Sequence, residues 1–114
     1  MSEKTLFTKI IEREIPADII YEDDICIAFN DINAQAPLHA LVVPKKPLAK
    51  VSDAAEEDEQ VLGHLLRTAA AVARERGYGD AFRLVVNNGS EAGQTVFHIH
   101  VHVLGGRAFN WPPG

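Results

Sequence analysis

The chain has 114 residues, 46% hydrophobic and 24% charged, values that suit one soluble globular domain covering residues 1–114. A net charge of −5 at pH 7 excludes general attraction to nucleic acid or an anionic membrane as the basis of its action, although local donors can still hold a small polyanion. The single cysteine excludes an intrachain disulfide and a cysteine-rich zinc site.

Met1-Ser2-Glu3-Lys4 leads into an amphipathic segment, not an apolar run, so no signal peptide is expected. No run reaches the ~20 apolar residues of a membrane helix, and a reducing cytoplasm is the expected compartment. Leu6, Phe7, Ile10 and Ile11 recur at helical spacing, which predicts a short amphipathic helix ended with the help of Pro16. Ile19 to Glu22 and Ile25 to Asn30 read as strands joined by a tight acidic turn at Asp23-Asp24. Cys26 lies within the second strand and reads as a small core residue. His39 to Pro44 is a third strand, with His39, Leu41 and Val43 on one face and Ala40 and Val42 on the other.

Ser52 or Asp53 is placed to cap one long helix, with Asp53 and Glu56 as a capping pair. Val61, Leu62, Leu65, Leu66, Ala69, Val72 and Ala73 form its expected buried stripe, and Gly77 its left-handed stop. His64 falls off the centre of that stripe and reads as a partly exposed residue with no catalytic task. Phe82 to Asn87 is a fourth strand, and the polar loop Asn88 to Thr95 follows it. Gly89 and Gly93 in this loop allow close backbone approach to a ligand. In the tail, Trp111 is expected to pack on this subunit or on a neighbour.

The stretch Phe97-His98-Ile99-His100-Val101-His102-Val103-Leu104 alternates histidine with apolar residues and reads as the fifth strand. Alternate residues of a strand share a face, so His98, His100 and His102 project together while Ile99, Val101 and Val103 enter the core. Three chemistries fit such a row. A purely structural row is costly, because protonated neighbours repel. A zinc site requires the first and third rings to converge although they lie roughly 13 Å apart along a straight strand. Nucleophilic catalysis suits it best: neutral imidazole attacks phosphorus, and a pKa near 6.5 keeps that form available at neutral pH. The preceding loop adds backbone N–H groups, the Gln94 amide and the Thr95 hydroxyl as phosphate contacts.

The segment His98 to Leu104 matches the His-φ-His-φ-His-φ-φ signature, φ being apolar, of the histidine triad (HIT) family. Glu14-Ile15-Pro16-Ala17, Ala28-Phe29-Asn30-Asp31-Ile32, Gln35-Ala36-Pro37, His39, Val43-Pro44-Lys45-Lys46, Gly93-Gln94 and Trp111-Pro112-Pro113-Gly114 extend the likeness over nearly the whole chain. It resembles the Hint branch, the histidine triad nucleotide-binding proteins. The resemblance implies an α+β, HIT-like fold, a five-stranded antiparallel sheet with one short and one long helix, and sheets joined across a homodimer. It implies hydrolysis of nucleoside 5′-phosphoramidates without metal or other cofactor, through a covalent nucleotidyl-histidine intermediate, with purine nucleoside monophosphates (AMP, GMP) as ligands.

By the same resemblance His100 is the nucleophile, with its other ring nitrogen held by a backbone carbonyl. His102 contacts the phosphate and helps protonate the leaving nitrogen, while His39 and His98 complete the cluster. Asn87, Gly93, Gln94, Thr95 and Val96 match the phosphate and ribose region, and Asp31 the acceptor for ribose hydroxyls. Phe7, Ile10, Ile15, Phe29 and Ile32 match the base pocket, whose apolar walls imply loose selectivity for purines. Thr95 departs from the serine of better-known members. Three rivals remain: the dinucleoside polyphosphate hydrolases similar to the fragile histidine triad protein, a nucleotide-binding scaffold with incidental hydrolysis, and a zinc-binding protein.

Overall fold

A computed structural model describes residues 4–114; Met1 to Glu3, part of the stretch read for a leader, lie outside them. Five strands, β1 (Ile19–Glu22), β2 (Cys26–Asn30), β3 (Leu38–Pro44), β4 (Phe82–Val85) and β5 (Val101–Gly105), form one sheet in the order β1-β2-β3-β5-β4. Every neighbouring pair is antiparallel. Two helices accompany it, α1 (Leu6–Ile11) and α2 (Glu59–Glu75). This is the expected α+β architecture.

Strand alternation divides the core between the two faces of the sheet. Cys26, Ala28, Ala40, Val42, Val101 and Val103 meet Leu65, Ala69, Val72 and Ala73 of α2. Ile27, Phe29, Leu41 and Val43 point the other way and pack on Phe7 and Ile10 of α1. Each large side chain removed from water in this way contributes roughly 1.5–3 kcal/mol. The β1–β2 turn is tied to α2 through Asp23. Its Oδ1 accepts from the N–H groups of Ile25 and Cys26, both at 2.8 Å, and its Oδ2 from the Tyr21 hydroxyl at 2.7 Å. His64 Nε2 also lies 2.7 Å from Oδ2. Burial opposes ionisation of Asp23, yet these donors hold its carboxyl well below the usual carboxylate range.

The long helix starts later than its acidic approach suggests. Residues Val51–Asp53 and Glu56–Asp58 form separate 3-10 turns, and α2 begins only at Glu59. The Ser52 N–H is held by the Asn88 side chain at 2.8 Å, and Ala54 is extended, so neither Ser52 nor Asp53 caps α2. Asp58 occupies the N-cap position, although its side chain accepts from none of the helix's own N–H groups and instead holds the turn before it. Its buried carboxylate accepts from the Ala55 N–H at 2.8 Å and from Lys46. The buried stripe also differs in detail. Leu66 is exposed, while Thr68 is buried and takes the Cys26 thiol as donor at 3.6 Å.

At the other end Gly77 has φ +89°, the expected left-handed stop. The turn after β5 presses on the loop before β3. Gly106 has φ +93°, and a Cβ there would lie 2.8 Å from the Pro37 Cβ, so only glycine fits. Trp111 does not pack on its own subunit: it is 82% exposed. Phe109 is the tail residue that docks, with the guanidinium of Arg107 4.2 Å and that of Arg83 5.1 Å from its ring centre. No helix among the described residues is long and apolar enough to cross a membrane.

Candidate active site

The alternation of the triad is preserved, but the strand is not. Strand β5 begins at Val101, so His98 and His100 precede it. The ladder with β3 runs from Leu38 opposite Gly105 to Val42 opposite Val101. Pro44, farther along β3, has no N–H to donate. Its carbonyl is taken by the ring of His98 at Nε2, 2.8 Å away, and the Ile99 N–H turns aside to the Leu48 carbonyl at 2.7 Å. A side chain thus replaces the next rung of the sheet. Ile99, Val101 and Val103 still enter the core against α2, and the imidazoles lie on the α1 side.

Each ring has a definite hydrogen-bonding assignment. His98 is 1% exposed and donates from Nε2 to Pro44. Its Nδ1 is therefore an acceptor, for the hydroxyls of Thr5 at 3.0 Å and Thr8 at 3.3 Å. Thr5 also caps α1 by accepting from the Thr8 N–H at 3.1 Å, so the first triad histidine fastens that helix to the sheet. Burial lowers its pKa, with the Pro44 carbonyl acting in the opposite sense and the neighbouring His100 reinforcing it.

His100 lies edge-on to Phe7, with ring centres 4.9 Å apart. Its Nδ1–H donates to the carbonyl of His98 at 2.8 Å, as expected, which leaves the Nε2 lone pair unprotonated. His39 enters from β3. Its Nδ1 accepts from the Gln35 N–H at 3.0 Å, so the proton of the neutral ring sits on Nε2. That Nε2 lies 3.0 Å from His102 Nδ1 and 3.4 Å from Asp31 Oδ2. His102 therefore accepts at Nδ1 and carries its own hydrogen on Nε2. Burial, and then charge on His100 and His39, push the His102 pKa down to about 4. Burial lowers His39 too, against the pull of Asp31.

These rings stand at one end of a pocket of about 310 Å³. Phe7, Ile10, Ile15, Phe29 and Leu41 line its apolar part, with Asp31, Ile32, Thr95, Val96, His100 and His102 around them. Most of the residues expected at the site are thus brought together. Five expected positions do not line it. His39 and His98 stand behind the lining rings, and Asn87 and Gly93 lie beside one another, a Gly93 Cβ falling 3.6 Å from the Asn87 amide nitrogen. Gln94 is also absent from the lining. Its amide donates to the carbonyls of Ala49 at 2.8 Å and Val96 at 3.0 Å and accepts from the Gly89 N–H at 2.8 Å. Both amide hydrogens are committed, so Gln94 shapes the loop and offers no amide hydrogen to a phosphate. Sequence reading missed Thr5, Thr8 and the Gln35 N–H as holders of the histidines. It also missed Leu6, Leu41, Asp18 and Asn30 in the lining, although Leu41 could be found from its shared face with His39.

The donors that converge are not the three triad rings. Among the described residues, Asp31, His39 and His102 bring ligand atoms within 4.8 Å of one another, as do Asp23, Cys26 and His64. In the second group burial pushes the Cys26 thiol up to about 11, and Asp23 is already occupied by four donors.

A description of the HIT domain matches residues 12–109. The chain belongs to the HIT family. This HIT chain is 63% identical over 114 residues, the full length of both, to an uncharacterized HIT-like protein of Synechocystis sp.. It is 49% identical over 112 residues, 96% of its length and 88% of the relative's, to the 14 kDa zinc-binding protein of Zea mays. The crystal structure of a HIT family hydrolase from Legionella pneumophila Philadelphia 1 matches with a TM-score of 0.95 at 45% identity, covering 97% of this chain and 100% of that one. The HIT fold expected from the motif is therefore the fold observed.

Proposed function

We propose that this HIT protein is a hydrolase of nucleoside 5′-phosphoramidates, close in activity to the Hint branch. The observation that carries the reading is His100: its Nδ1–H is fixed on the His98 carbonyl, and the ring lines the pocket with Nε2 as the available nucleophile. In the first step Nε2 attacks phosphorus, the P–N bond to the amine breaks, and a nucleotidyl-histidine forms. The departing nitrogen takes one proton from solvent, passed by the exposed Thr95 hydroxyl at the pocket wall. In the second step water attacks phosphorus, the bond to His100 breaks, and a proton returns to solvent. The products are a nucleoside monophosphate and the free amine.

The other rings support this centre. His102, kept neutral, presents Nε2–H to a phosphoryl oxygen, where a donor stabilises developing charge. Its low pKa argues for this role and against a resting imidazolium that protonates the amine. The apolar slot receives the base, and Asp31 accepts from the ribose hydroxyls. His100→Ala is expected to abolish turnover of an adenosine phosphoramidate while AMP binding stays measurable by calorimetry. Turnover by that variant would overturn the assignment. Faster cleavage of a diadenosine polyphosphate would move the protein to the rival HIT branch.

The zinc-binding name of the maize relative motivates one alternative, a metal held by Asp31, His39 and His102. Metal at His39 Nε2 would require its proton to move to Nδ1, directly against the Gln35 N–H. That conflict favours catalysis. Full activity in chelator, with no stoichiometric zinc by elemental analysis, is the expected result.

A further inference from the structure

A row of residues in register runs across the sheet beneath the pocket, and its members Phe29, Leu41 and His102 line it. Ile19 faces Phe29, Phe29 faces Leu41, and Leu41 faces His102. Three strand spacings separate β5 from β1, about 14 Å in all. That is close to the reach of a nucleoside monophosphate from its phosphorus to a partner at the outer edge of its base. A nucleotide with phosphorus at His100 and its base over Phe29 and Leu41 therefore brings that edge to the start of β1.

Two polar side chains line the pocket there, Asp18 and Asn30. Asp18 Oδ2 accepts from the Asn30 amide at 2.7 Å, and the Asn30 oxygen accepts from Arg76 at 3.2 Å. The carboxylate is thus oriented, and its Oδ1 has no protein donor among the described residues. Its neighbours on the wall, Pro16 and Ala17, offer no side-chain polar atoms. Whatever polar group the base carries at this edge meets an acceptor.

Resting on the nucleotide reading, we propose that Asp18 makes the site select guanine. Guanine presents two donors on one edge, N1–H and the N2 amino group, which match the two oxygens of a carboxylate. Adenine offers one donor there, its N6 amino group, beside the lone pair of N1, which faces negative charge, and so cannot match both oxygens. Hypoxanthine retains N1–H alone and falls between them. Stacking on Phe29 does not separate these purines, because their ring areas are nearly equal. An Asp18 exposed to solvent supports a modest preference, about three- to tenfold.

The test compares guanosine, inosine and adenosine 5′-phosphoramidates as substrates of the full chain and of Asp18→Asn. It is paired with calorimetric binding of GMP, IMP and AMP. The neutral amide of the variant keeps an acceptor for Asn30. The native protein is expected to rank guanosine above inosine above adenosine, mainly through KM. Asp18→Asn is expected to narrow the guanosine-to-adenosine ratio to within about twofold. Equal or reversed preference in the native protein, or a preference unchanged in the variant, overturns the assignment of Asp18. Hydrolysis without preference leaves the catalytic reading standing and removes only this inference. Binding of GMP over AMP without hydrolysis supports Asp18 and removes the catalytic reading.

Discussion

Four imidazoles within hydrogen-bond reach of one strand end carry different burdens, and the differences arise one atom at a time. A carbonyl fixes the hydrogen of His100, an N–H fixes that of His39, and His39 in turn fixes His102. Three of these rings, His39, His98 and His102, resist protonation because they are buried. The sign of the consequence follows from linkage. Between the ordinary histidine value near 6.5 and the lower folded value, the unfolded chain binds more protons than the native one, so acid favours unfolding. Stability should be fully present above pH ~6.5 and decline as the pH falls toward the His102 value of about 4. Urea midpoints taken from pH 7.5 to 4.5 should show this slope, and His102→Asn should flatten it; an unsloped native curve would count against neutral burial. The residues responsible were visible in the sequence, but their tautomers were not. Those depend on the Gln35 N–H, the Pro44 carbonyl and the Thr5 hydroxyl, contacts that residue type and spacing do not display.

At the level of elements, period two placed β1 at the boundaries observed and assigned both faces of β3. Period 3.6 found the apolar stripe of α1 but not its end: the helix stops at Ile11, capped by Glu12 and with Arg13 at φ +64°, well before Pro16. The failures have physical causes. The histidine segment lost its early rungs because Pro44 cannot donate and His98 takes its carbonyl. Helix α2 lost its first turn because the Asn88 side chain draws the Ser52 N–H away. Both causes are tertiary contacts that override local preference. They also make a prediction about the cap. Asp58→Ala removes two hydrogen bonds at the start of α2 and should cost about 1–2 kcal/mol in urea unfolding, whereas Asp53→Ala should stay within about 0.5 kcal/mol of native. Equal effects would restore the cap to the earlier acidic residue.

On the scale of the whole molecule, the outer rim of the sheet is unfinished in one chain. Strand β4 has one neighbour only, and the tail leaves Trp111 82% exposed beside a docked Phe109. A large aromatic in water favours a partner surface. We propose the homodimer on this ground, in keeping with the resemblance to the Hint branch. Sedimentation equilibrium should give twice the mass of one chain, and Trp111→Ala should weaken association; a monomer at micromolar concentration would exclude it. A single sequence shows that Trp111 needs cover on this subunit or a neighbour but carries no periodic signal for which; its 82% exposure in one chain removes the first alternative.

The tight seam between Gly106 and Pro37 reaches further than its size suggests. It braces the segment bearing Gln35, whose backbone hydrogen decides which nitrogen of His39 is basic and so how His102 is oriented. Grafting the seven-residue signature onto an unrelated scaffold would transplant the imidazoles and leave their proton assignments behind. An engineer who wants the reactivity must copy two outlying bends as well.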